Sequence, residues 1–139
     1  MAGFDYVKKY KDQEMATVSP EELQIKMFET LFLDLKKAQT ALENNEVINF
    51  SSAIVDASRV LTLVIQFFGG LLDAVVGVEG EHVDLIKRLF QIYFSLQYHV
   101  ACLLGSKDKE LLNKIIGIAE SQKNMWVNFW HRAKREGSL

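Results

Sequence analysis

Four apolar stripes, each stepping by four and three residues, dominate this chain and leave it few folds to choose from. The first is Phe28, Leu31, Leu35, Ala38 and Leu42. The second is Phe50, Ile54, Ala57, Leu61, Val64 and Phe68. The third is Ile86, Leu89, Tyr93, Leu96, Val100 and Leu103, and the fourth is Leu112, Ile115, Ala119, Gln122, Trp126, Phe129 and Ala133. That spacing places each set along one side of an α-helix. Helices of about 22–28 residues, roughly 33–42 Å long at 1.5 Å per residue, follow from it. Similar lengths and short connections predict an all-α fold, an antiparallel up-down-up-down four-helix bundle over residues 18–136 as one domain.

The punctuation agrees with the stripes. Ser19-Pro20-Glu21-Glu22 is a helix start, with Ser19 placed to accept from the Glu22 N–H and Pro20 at the first helical position. Val18 and Leu23 are spaced as a hydrophobic staple. Glu43-Asn44-Asn45-Glu46 reads as the first loop, and Gly77 and Gly80 bracket the second. Gly69-Gly70 weakens helical propensity, yet Leu71 and Val75 keep the register, so the second helix runs on through the pair. Gly105-Ser106 is expected to end the third helix, with Ser106 or Asp108 capping the fourth. Residues 1–17 precede the bundle. Phe4, Val7 and Tyr10 repeat three apart there, the pattern of a short amphipathic helix or lid segment lying on the bundle.

One proline and eight glycines in 139 residues supply too few turns for an all-β fold. The net charge of −2 gives no footprint for nucleic acid. The basic end His131, Arg132, Lys134 and Arg135 instead suits the negative end of its own helix. Cys102, the only cysteine, rules out an internal disulfide and sits in an apolar run, which predicts a small buried core residue. The N-terminus turns polar after Tyr6, unlike a signal peptide, and the expected location is the cytosol. Val60–Val78 imitates a membrane span with 13 apolar side chains in 19 residues. It also holds Gln66, Asp73 and three glycines, and reads as a buried bundle helix without stable membrane insertion.

Chemistry is hard to find. A di-iron bundle needs two Glu-x-x-His pairs and two further inward glutamates. Glu79 and His82 make one such pair, in a glycine-flanked turn, without a second copy. His99 sits one position off the third stripe, a boundary residue. No nucleophile elbow or phosphate loop is present. The expectation is no enzyme, no metal and no cofactor.

Apolar residues nevertheless exceed what one seam per helix consumes. Ile25, Phe32 and Leu33 flank the first stripe, and Val60, Leu63 and Phe67 the second. Val83, Phe90 and Phe94 flank the third, and Leu111, Ile118 and Met125 the fourth. Each helix of a bundle has two neighbours, so a broad core accounts for part of this surplus. The other reading is a groove for an amphipathic segment of a partner protein.

The order of short motifs resembles one family. Tyr10, followed by Thr17-Val18-Ser19-Pro20 and Leu23, is similar to the opening of the flagellar export chaperone FliS family. Met27-Phe28-Glu29, Leu35-Lys36-Lys37-Ala38, Leu72-Asp73, Gly80-Glu81, Leu89-Phe90 and Trp126 resemble later family positions in the same order. The likeness covers about residues 10–127. The chain departs where the family shows a glycine doublet, here Glu79-Gly80, and where tyrosines stand in place of Phe28 and Phe90.

The resemblance implies a cytosolic helical chaperone without enzymatic activity. Its client would be the disordered C-terminal segment of flagellin, kept from premature polymerisation and presented to the export gate. It implies an N-terminal segment that lies over the client site and moves aside, with Tyr10 at the family's tyrosine position; Tyr6 is added as a contact on its local pattern alone. Client contacts on the surplus face are expected at Val60, Leu63, Phe67, Phe90 and Met125. The chain itself is expected as a monomer or weak homodimer. A helical adaptor or secretion chaperone for a different client uses the same groove and stays open at this point.

Overall fold

The computed structural model describes residues 19–136, and every regular element among them is an α-helix. They are α1 (Pro20–Glu43), α2 (Val47–Ala74), α3 (Glu81–Ser106) and α4 (Lys109–Arg135). The expected four-helix bundle is present. The 1–17 segment, with Val18 of the staple, lies outside the described residues.

Local chemistry sets the ends. The Ser19 hydroxyl accepts from the Glu22 N–H at 3.1 Å, with Pro20 opening α1. Asn45 takes a left-handed conformation (φ 59°), and the Glu46 N–H returns to the Ala41 carbonyl at 2.8 Å, closing the exposed carbonyls of α1. α2 continues through Gly69 and Gly70 to Ala74. α3 extends through Gly105 and Ser106. The left-handed residue that stops it is Lys107 (φ 49°), because Asp108 already caps α4 by accepting from the Leu111 N–H at 3.1 Å. The α3–α4 connection is therefore two residues long.

The helices are arranged α3, α2, α1, α4, each antiparallel to the next. α1 packs on α2 and α4, and α2 packs on α1 and α3. The pairs Glu21–Lys134 (2.9 Å), Trp130–Gln24 (2.8 Å) and Gln39–Asn113 (2.6 Å) track down the α1–α4 boundary. On the α2–α3 side the Gln97 amide donates to the Thr62 hydroxyl at 2.6 Å and to the Ser58 carbonyl. The fourth side is different: α3 and α4 approach each other over little of their length.

The core is built from the four stripes. At its middle, aromatic rings reach across the bundle. Tyr93 of α3 stacks against Phe28 of α1 at 5.4 Å and Phe68 of α2 at 5.0 Å, and Phe68 reaches Trp126 of α4 at 5.6 Å. Two stripe-based expectations change here. Phe129, placed in the fourth seam, is half exposed, and Cys102, expected in the core, is exposed. Cys102 lies opposite the buried arc of α3, where a neighbour would be needed to cover it and none packs.

Candidate functional site

The weak α3–α4 contact leaves a groove. At the end where α1 begins it opens into a cavity of about 670 Å³. Phe67 and Phe68 of α2 form part of its floor, Leu85 and Leu89 one wall, and Met125 and Phe129 the other. Pro20, Gln24, Trp130, His82 and Arg132 complete the lining at that end. The lining is overwhelmingly apolar.

The cause lies in the register of the two helices. α3 carries Leu85, Leu89, Ile92, Leu96, His99 and Leu103, stepping four and three. α4 carries Leu111, Ile115, Ile118, Gln122, Met125 and Phe129 with the same steps. Each is a complete heptad seam of the kind that normally closes against a partner helix. On α3 only the inner member of each pair is covered, and on the α4 seam only Ile115 is fully buried. Leu89, Leu96 and Leu103 are buried, as is Ile115, whereas Leu85, Ile92, Ile118, Met125 and Phe129 stay 39–51 % exposed. α3 and α4 cannot close the gap themselves, because Tyr93 and Trp126 meet in the space between them.

A polar chain spans that space. The Tyr93 hydroxyl donates to the Gln122 side-chain carbonyl and accepts from the Trp126 indole N–H at 3.0 Å. Burial pushes the Tyr93 phenol well above its usual range, with the Trp126 hydrogen bond pulling the other way, so the hydroxyl keeps its proton. No other side-chain hydrogen bond joins α3 to α4 among the described residues.

α3 as a whole is also short of charge. From Leu89 to Ser106, α3 holds no Asp, Glu, Lys or Arg across 18 residues. Yet Phe94 and Tyr98 are 60 % and 68 % exposed. An exposed helical face normally carries charge, so this one has the composition of a covered surface.

The expected site residues divide. Phe67 and Met125 line the groove. Phe90 lies on the α2 side of α3, its ring 3.5 Å from where a Cβ on Gly69 would stand, and it stacks with Phe94 at 6.2 Å. Val60 and Leu63 are 2 % and 3 % exposed, inside the core and not on a surface a partner can reach. They flank the second stripe in sequence, but α2 is covered on both sides, by α1 and α3, so its buried arc is wider than one seam. Tyr6 and Tyr10 lie outside the described residues. Sequence reasoning passed over Leu85, Ile92 and the charge-free run of α3. That run was the available signal.

Among the described residues no group of three His, Cys, Asp or Glu could hold a metal ion. α2 is the one described helix long and apolar enough to cross a membrane by length and composition. In the bundle it contributes nine buried residues to the core, more than any other helix.

The family model described as flagellar protein FliS matches residues 3–133 of the 139. No curated protein matches the chain.

Proposed function

Because the chain belongs to the FliS family of flagellar export chaperones, we propose that its α3–α4 groove holds the C-terminal segment of flagellin. The segment docks there as an amphipathic helix, is kept from premature polymerisation in the cytosol, and is delivered to the flagellar type III export apparatus. The observation that carries the reading is the pair of unclosed heptad seams around a cavity of about 670 Å³. A chain segment that assembles through an apolar helical face self-associates when that face is free, and a groove of matching periodicity masks it. From Leu85 to His99 the α3 wall is about 21 Å long at 1.5 Å per residue, room for about four turns of a client helix. Ordering a disordered segment costs about 2–5 kcal/mol, which keeps the complex reversible, as release for export requires. In the same reading, residues 1–17 lie over the site until a client displaces them.

Calorimetric titration with the C-terminal segment of flagellin from the same organism tests this. Ile92→Asp places a charge in the groove wall without touching the core. It abolishes binding while the helical circular dichroism is retained. Full-strength binding by that variant would move the site elsewhere, and no binding by the wild-type chain would point to a different client.

A further inference from the structure

The two seams that frame the groove contain two polar residues, Gln122 and His99. Gln122 is used inside the protein, taken up by the Tyr93 hydroxyl. His99 is not. Its Nδ1 lies 2.8 Å from the Ser95 carbonyl, which can only accept, so Nδ1 carries the proton of that bond. In the tautomer protonated at Nδ1, Nε2 is the hydrogen-bond acceptor, and among the described residues it has no partner. The ring is held in place by the Ser95 bond and by an edge contact with Tyr98 at 5.6 Å.

Its position along the groove follows from the register. Tyr93 meets Gln122 and Trp126, which sets Ile92 level with Met125. One heptad toward the α3–α4 connection, His99 is level with Ile118, and one heptad the other way, Leu85 is level with Arg132, which lines the cavity. Thus a helix in the groove meets apolar walls at the Ile92–Met125 layer and a fixed acceptor one layer further on. In coiled coils a single polar residue in an otherwise apolar seam specifies register, because every shifted alignment leaves it facing carbon. The surrounding α3 surface offers no charge that could do the same work.

We infer that His99 is a specificity-determining residue of the groove. Its Nε2 accepts a hydrogen bond from a polar side chain at one heptad position of the bound helix, and this selects both the client and its register. The inference rests on the client reading above and adds to it the chemistry one layer of the client must carry.

The test is calorimetry of wild type, His99→Leu and His99→Gln with the C-terminal segment of the organism's own flagellin, alongside Ile92→Asp. His99→Leu would weaken binding about tenfold, since the client's donor is left facing a methyl group, whereas His99→Gln, which still offers an acceptor, would stay within about threefold. Scanning leucine through the segment's polar positions would identify one substitution that restores binding to His99→Leu and weakens binding to wild type. Equal or tighter binding of the unaltered segment by His99→Leu overturns the inference, as does a scan with no such exchange. In either case Ile92→Asp separates the two levels: if it abolishes binding, the groove stands and only the role of His99 falls. If it binds normally, the groove reading falls with it. His99 is exposed, so circular dichroism of its variants is expected to match wild type.

Discussion

Replacing Asp34 by asparagine should stabilise this protein at neutral pH, by an amount that vanishes on acidification. Asp34 sits on α1 toward α2, only 8 % exposed. Burial, with Asp56 across the interface adding like charge, pushes its carboxyl from 3.8 up to about 6, against a partial pull from Lys37. Asp56 itself is engaged with Arg59 at 3.5 Å. A folded pKa above the unfolded one means the folded state holds the proton more tightly. The stability from protonated Asp34 is fully present below 3.8 and is lost as pH rises through about 6. At about 1.36 kcal/mol per unit, the gap of about two units sets a ceiling of about 3 kcal/mol for the cost of ionising it. Asparagine keeps the shape and removes the charge. Urea unfolding followed by circular dichroism at pH 7.5, 6 and 5 measures this. Asp34→Asn should be more stable than wild type by up to about 3 kcal/mol at pH 7.5, with the difference shrinking steadily toward pH 5. A pH-independent difference, or a less stable variant at pH 7.5, would refute the reasoning. The first outcome would mean the group is solvated in the fold, and the second that its carboxylate is paired.

Three further outcomes follow from the groove and the core. The charge-free Leu89–Ser106 stretch of α3 gives little electrostatic steering, so client affinity should change less than about twofold between 0.05 and 0.5 M NaCl, as measured by fluorescence anisotropy. Tyr93→Phe keeps the ring packing but strips Gln122 and Trp126 of their partner. It should cost about 1–2 kcal/mol in urea unfolding, and a neutral result would mean that water replaces the hydroxyl. Deleting residues 1–17 should increase affinity for the flagellin segment in calorimetry, and unchanged or weaker binding would count against their covering the site.

The same side chains show how far the sequence could be read. The four stripes, the Ser19-Pro20 start and the Asp108 cap are local features, and each appears in the structure where its spacing places it. Periodicity reports the direction a side chain takes from its own helix. It does not report whether another helix stands there. Val60 and Met125 both flank a stripe, yet one is buried and the other faces the groove, because α2 packs closely on both sides and α4 packs closely only on α1. Phe129 continues its stripe faultlessly and still ends half exposed for the same reason.

The sequence by itself thus determined four helices, their lengths, their caps and their antiparallel order, since these depend on interactions within a few residues and on loops too short to permit another path. Which pair would fail to close was decided only by the tertiary packing. Tyr93 and Trp126 meet partners from other helices, Phe28 and Phe68 among them, and their bulk holds α3 and α4 apart. The groove is the consequence of that long-range crowding, and so is the difference between an apolar residue that makes the core and one left for a client.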